Sequence, residues 1–160
     1  MLTTADLCDR FPDQVELAQP LFREYGGVAR FAGPIETVRV FEDNTLVRST
    51  LETPGLGRVL VIDGAGSLRC ALLGGRLAAL ALENGWPGIV VNGAVRDSEE
   101  IRQLSVGILA LNTSPMRSRK NGSSSVRGIS VTFAGVTFVP GRYLYADADG
   151  MLLAERNLLE

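Results

Sequence analysis

The apolar run GIVVNGAV, residues 88–95, ends in an arginine and an aspartate side by side, Arg96 and Asp97. A guanidinium is a planar fork of donors matched to a carboxylate, and an aspartate is a hard oxygen ligand for a divalent cation. Together they describe a site that holds a small acid against a metal ion. The same pair has a plainer reading: Asp97 stands three residues before Glu100, the spacing of a capping box for a short helix over 98–104. A second candidate lies upstream in LGGRLA, residues 73–78. If a helix starts there, the N–H groups of Gly75, Arg76, Leu77 and Ala78 are unpaired and could converge on a carboxylate or phosphate. The plain alternative is that Gly74-Gly75 only lets the chain turn closely into the helix.

Other polar clusters carry weaker signals. Glu42, Asp43 and Asn44, and Asp147 with Asp149, read as caps and turns that also offer carboxylates to a metal-bound water. The stretch DGAGS, residues 63–67, follows a strand but matches neither the P-loop spacing nor a dinucleotide fingerprint, so it reads as a tight turn.

Two absences narrow the chemistry. The chain contains no histidine, which excludes Ser-His-Asp and Cys-His catalysis and histidine-rich zinc sites within it. Oxygen ligands then favour magnesium or manganese. Lysine occurs once, as Lys120, in the polar stretch SPMRSRKNGSSS. An imine-forming lysine needs a desolvated pocket, and this one reads as loop.

With 160 residues, 46% of them hydrophobic and 21% charged, the chain fits one globular domain. A net charge of −2 provides no field for nucleic acid. No cationic-apolar leader opens the chain, and its most apolar stretch, CALLGGRLAALAL, is too short to span a bilayer. A cytoplasmic protein without membrane or direct nucleic-acid binding is expected. Cys8 and Cys70 are too far apart in sequence to suggest a ligand pair and are expected to be reduced.

The elements that must position these residues follow from pattern. TTADLCDRF predicts a short helix capped at Thr3 or Thr4. GGVARFAGPIETVRVF predicts one or two strands, interrupted at Gly33-Pro34. Asn44 can cap a helix through TLVRSTLE, RVLVID is a buried strand, and GAGS its turn. A helix from Gly75 places Leu77, Leu80, Ala81 and Leu82 on a shared face, with Gly85 beyond its end. GIVVN predicts a strand closed by a turn at Asn92-Gly93, then comes a helix at SEEIRQL and a strand at VGILAL. After a polar loop around 121–125 come ISVTF, VTFVP, YLYAD and MLLAE, paired as hairpins. The sum is a mixed α/β layered domain with C-terminal hairpins, without the steady alternation of a doubly wound sheet.

The segment GGRLAALALENGWPGIVVNGAVRD, residues 74–97, resembles the core motif of the family named for the regulator of ribonuclease E activity. That family includes the 4-hydroxy-4-methyl-2-oxoglutarate aldolases. ADLCD, YGGVARFAGPI, VRVFEDN, VLVIDGAGSLR and GVTFVPGRYLYADADG stand in the family's order and spacing, so the resemblance covers nearly the whole chain. It implies a swivelling β/β/α domain, assembled as a trimer or dimer of trimers with sites between subunits. It also implies a class II lyase that uses magnesium or manganese, cleaves 4-hydroxy-4-methyl-2-oxoglutarate to two pyruvates and decarboxylates oxaloacetate. In the family pattern the backbone matching Gly75, Arg76, Leu77 and Ala78 binds this 2-oxo acid together with Arg96, and Asp97 holds the metal. Position 76 is arginine where aldolases often carry asparagine. Carboxylates from a neighbouring subunit orient metal-bound waters; Glu42 and Asp147 are the candidates here. The resemblance also implies a rival role, a protein that inhibits a ribonuclease E-type endonuclease by contact. Members with that role can lack the aspartate, which this chain keeps. A methyltransferase label of menaquinone synthesis, once attached to the family, finds no nucleotide-type glycine loop here.

Overall fold

The computed structural model describes residues 2–120, 122 and 124–160. Along the first half run α1 (Thr4–Arg10), β1 (Glu16–Leu17), β2 (Arg23–Glu24), β3 (Phe31–Arg39), α2 (Thr45–Leu51), β4 (Val59–Asp63), β5 (Ala71–Leu73) and α3 (Gly75–Glu83). Then come β6 (Gly88–Val95), α4 (Ser98–Ile101), β7 (Gly107–Thr113), β8 (Val126–Arg127), β9 (Val131–Phe133), β10 (Val136–Phe138), β11 (Tyr143–Asp147) and β12 (Gly150–Ala154).

One curled mixed sheet has the order β1-β12-β11-β3-β4-β6-β7-β2, with β5 beside β6 and β8 beside β3. Its centre is parallel: Ile35 pairs Val59, Val59 pairs Gly88, and Gly88 pairs Gly107. The β11–β12 hairpin joins antiparallel to β3, and β9–β10 forms a separate hairpin. Strands buried on both faces read as unbroken apolar runs. In β4, Leu60 and Ile62 face Val47 and Leu51 of α2 and Leu77, Ala78 and Ala81 of α3. Its alternate residues Val59 and Val61 face Val131, Val136 and Phe138 of the β9–β10 hairpin. Helices, sheet and hairpin are thus stacked in layers, the mixed α/β class the pattern predicts.

Phe31 shows how closely the layers meet. Its ring lies across Gly88 of β6 and Gly107 of β7, where a Cβ on either glycine would collide with it.

Most predicted elements are present, and four details differ. The strand over Gly33-Pro34 is continuous: the ladder with β4 begins only at Ile35, so the missing Pro34 N–H breaks no bond in it. Asn92-Gly93 is not a turn but lies within β6, whose register shifts between Val91 and Ala94. The neighbours of β6 are parallel, so no hairpin can follow it. Leu82 lies outside the buried face of α3, at 40% exposure. Asn44 occupies the N-cap position of α2 without a side-chain bond to the helix; Asp43 Oδ1 accepts the Thr45 N–H instead.

The first helix is closed by a capping box between Thr3 and Asp6. GAGS is a turn, with Ala65 and Gly66 at positive φ. Cys8 and Cys70 are unpaired. Among the described residues no helix is long and apolar enough to cross a membrane. The predicted loop around 121–125 falls partly on residues 121 and 123, outside the described residues.

Candidate active site

Parallel strands deliver their following loops to one end of a sheet. Here β6 ends at Val95 and presents Arg96 and Asp97, while the neighbouring β5 leads through Gly74 into α3. The Arg96 N–H donates to the Leu73 carbonyl at 2.9 Å, which locks the two segments together.

Asp97 departs from the capping reading of the charged pair. It precedes α4, yet its backbone is left-handed, φ 60° and ψ 41°, and its side chain makes no cap bond to that helix. A capping residue normally sits in the β region, which aims its oxygen at the helix N–H groups. The left-handed backbone turns Asp97 elsewhere: Oδ2 accepts the Gly75 N–H of α3 at 2.9 Å. The capping box with Glu100 is therefore not formed. Instead the Glu100 carboxylate lies against Gly75, which has room for it only because it lacks a Cβ. A Cβ on Gly74 would stand 2.8 Å from Asp97 Oδ2 and 3.4 Å from Arg96 Cγ. The backbone of Gly74 is extended, so this glycine is needed for space and not for a special φ.

The crown of four free donors is smaller than the sequence suggests. The Gly75 N–H is taken by Asp97, and that of Ala78 bonds the Gly74 carbonyl at 3.0 Å. Arg76 and Leu77 retain unpaired N–H groups among the described residues. Gly75, Arg76 and Leu77 line a cavity of about 500 Å³ with Arg96 and Asp97. Ala78 is packed in the core behind it.

Three further cations face the same space: Arg48 from α2, and Arg117 and Lys120 from the strap of residues 114–120 that follows β7. No salt bridge within 4.0 Å engages any of the five cationic side chains at the cavity among the described residues. The only carboxylates lining it are Asp97 and Glu100. A cavity with this excess of positive charge suits an anion.

The model of the RraA-like family, described as Aldolase/RraA, matches residues 4–153. The chain belongs to the RraA-like family. A protein of Alkalilimnicola ehrlichii named "Putative 4-hydroxy-4-methyl-2-oxoglutarate aldolase" is 52% identical over 157 residues, covering 98% of this chain and 97% of its own length. One of the same name from Burkholderia mallei is 53% identical, covering 100% and 99%. Among solved structures, the RNA-processing inhibitor RraA from Thermus thermophilis aligns with a TM-score of 0.93 and 49% identity over 98% of this chain and 94% of that one. A Geobacillus kaustophilus protein titled an S-adenosylmethionine: 2-dimethylmenaquinone methyltransferase aligns with 0.94 and 49%, over 99% and 98%.

Two other candidate carboxylates of this RraA-like chain have structural partners. Asp147 accepts the Thr4 N–H at 2.8 Å and its hydroxyl at 2.7 Å, tying α1 to β11. Burial works against its charge, but these bonds and one from Asp149 hold its pKa below the ordinary value. Glu42 is 4% exposed, at φ 55°, and its Oε2 accepts from Arg69 and Ser67 at 2.6 Å each. The Arg69 bond, then the Ser67 bond, lower its pKa.

Beyond the basic run in SPMRSRK, nothing in the sequence pattern marks Arg48, Arg117 or Ser118 as lining residues, and Lys120 lies in a loop as the pattern predicts. From that loop Lys120 lines the cavity, and its exposure leaves it without the desolvation an imine lysine needs.

Proposed function

We propose that this protein is a divalent-cation-dependent lyase of dicarboxylic 2-oxo acids, cleaving 4-hydroxy-4-methyl-2-oxoglutarate to two pyruvates and decarboxylating oxaloacetate. The observation that carries this reading is the turn of Asp97 away from its own helix and onto Gly75, beside Arg96. The names of the close relatives point the same way.

Among the described residues no group of three or more His, Cys, Asp or Glu side chains could cage a metal. Asp97 has one oxygen on the Gly75 N–H and no protein partner on the other among the described residues. That donor set fits magnesium or manganese, hard ions that keep several waters and bind through one or two carboxylates plus substrate. Bound there, the cation would supply Lewis-acid stabilisation of the charge that develops as the carbon–carbon bond breaks. Arg96 and the N–H groups of Arg76 and Leu77 bind and orient the 2-oxo acid end. Arg48, Arg117 and Lys120 neutralise the second carboxylate, which both substrates carry. With no histidine in the chain, the proton that replaces the departing carbon comes from a carboxyl group or a water. A trimer or dimer of trimers belongs to the same proposal, since a neighbouring subunit would add carboxylates beyond Asp97 and Glu100 at the cavity. Sedimentation should give a trimer or hexamer mass.

Metal-stripped protein resupplied with magnesium should release pyruvate from oxaloacetate. Asp97→Ala should lower turnover by about two orders of magnitude or more, while its left-handed backbone and lost Gly75 bond lower stability by only about 1–2 kcal/mol and leave the protein folded. Unchanged turnover in this variant removes the cation role.

The solved RNA-processing inhibitor that aligns over 98% of this chain favours one second reading, inhibition of an endonuclease by contact. Capture of a ribonuclease E-type enzyme by wild type and Asp97→Ala alike, without lyase turnover in either, would select it.

A further inference from the structure

Three successive residues of the turn between β3 and α2 each grip a different residue of the segment that carries Arg117, Ser118 and Lys120 to the cavity. The Glu42 carbonyl accepts the Arg119 N–H at 2.9 Å. Asp43 Oδ2 accepts the Gly122 N–H at 3.1 Å. The Asn44 N–H donates to Ser118 Oγ at 3.3 Å, and Asn44 Oδ1 accepts the Ser118 hydroxyl at 2.7 Å. Ser118 is 6% exposed, while Arg117 and Lys120 on either side of it are exposed.

The turn is itself anchored. Glu42 is fixed by Arg69 and Ser67, and Asp43 Oδ1 accepts both the N–H and the hydroxyl of Thr45 at 2.9 and 2.7 Å. Asn44 Nδ2 reaches the Leu72 carbonyl of β5 at 3.4 Å, two residues before Gly74. One side chain therefore spans from the strand that leads into the Gly74–Gly75 turn to the strap that carries the opposing cations. The Ala71 N–H, donating to the Met116 carbonyl at 2.8 Å, runs parallel to this link. Long cationic side chains lose much rotamer freedom when they bind. Fixing their backbone beforehand reduces what binding must order.

We propose that Asn44 is a positioning residue: acting through Ser118, it holds Arg117 and Lys120 across the cavity from Arg96. It thereby sets affinity for the anionic ligand and not the rate of bond breaking. Only the kinetic part of this inference rests on the lyase reading.

Three full-length variants test it. Asn44→Ala removes both side-chain links, Ser118→Ala removes the hydroxyl with Asn44 intact, and Asn44→Asp keeps the acceptor for Ser118. Timed trypsin digestion, read by mass, reports cuts after Arg117, Arg119 and Lys120. Oxaloacetate kinetics with magnesium report the KM and kcat separately. Both alanine variants should be cut about fivefold faster or more, the equivalent of one ordinary hydrogen bond. Their KM should rise by a similar factor with kcat within about twofold, any fall in unfolding midpoint should stay within that of one ordinary hydrogen bond, and Asn44→Asp should restore the wild-type cutting rate while its added charge keeps the KM raised. Unchanged cutting in both alanine variants overturns the proposal, as does a fall in kcat at constant KM. Absence of oxaloacetate turnover in wild type would sink the lyase reading instead, and the digestion pattern alone would then decide the role of Asn44.

Discussion

Replacing Gly74 by alanine tests whether Asp97 and Arg96 work from where they stand. The added Cβ would lie 2.8 Å from Asp97 Oδ2, 3.4 Å from Arg96 Cγ and 3.5 Å from Arg96 Nε. Ordinary contact begins near 3.4 Å, so the carboxylate must retreat by roughly 0.6 Å, while the arginine barely moves. The backbone at Gly74, φ −128°, is open to alanine without strain. Loss of a glycine N-cap costs about 1 kcal/mol at most. A displacement near 1 Å in a catalytic group lowers rates by about a hundredfold, so a fall of about tenfold to a hundredfold is expected for oxaloacetate decarboxylation. Gly141→Ala supplies the contrast, because φ there is 88° and nothing lies within 4 Å. That variant should lose about 1 kcal/mol or more of stability and keep its turnover. Pyruvate release and thermal unfolding, measured on both, separate the effects. Full activity in Gly74→Ala would mean that the position of the Asp97 carboxylate is irrelevant to the reaction.

Gly107→Ala should destabilise the protein by about 1–3 kcal/mol or prevent folding, because its methyl group would enter the Phe31 ring; a denaturation midpoint equal to wild type would contradict that packing. Acid should weaken the fold through Glu42 and Asp43. Glu42 is held below its ordinary 4.5 by Arg69 and Ser67, and Asp43 below 3.8 by Thr45, whose side-chain bond outweighs the cost of burial. A depressed folded-state pKa stabilises the fold above the ordinary value, and that stabilisation disappears as pH falls through the lower value. Unfolding midpoints should be level down to about pH 5 and decline below 4.5, with a shallower decline in Glu42→Gln. Equal stability at pH 3 and pH 7 in wild type would refute this.

Much of the fold can be read from the chain because its signals are local. The apolar runs of β4 and β6, the turn at Gly66, the helix start at Gly75 and the N-cap at Thr3 each depend on a few adjacent residues. The errors arise where a distant partner outbids a local preference. Asn92-Gly93 suggests a turn, yet parallel neighbours draw the chain straight on, and Asn92 Nδ2 donates to Asp63 Oδ1 on β4 at 3.0 Å. Asn44 suggests a cap, yet its amide is claimed by Leu72 and Ser118. Asp97 has the spacing of a cap, and only its left-handed backbone redirects it. At the cavity, Gly75, Arg76, Leu77, Arg96 and Asp97 are brought together, but Ala78 is not. Arg48 and Arg117 reach the same space from segments far apart in sequence, and no spacing rule relates them.

Apart from Ala71 of β5, the residues that line the cavity come after a strand has finished hydrogen bonding to its neighbours. The polar side chains among them, Arg48, Arg96, Arg117 and Lys120, are therefore nearly free of the demands that β3, β4, β6 and β7 place on the interior. A lineage can exchange the chemistry at this rim, or surrender it, while the layers beneath remain the same. Relatives with one backbone and dissimilar occupations are what such a division of labour produces.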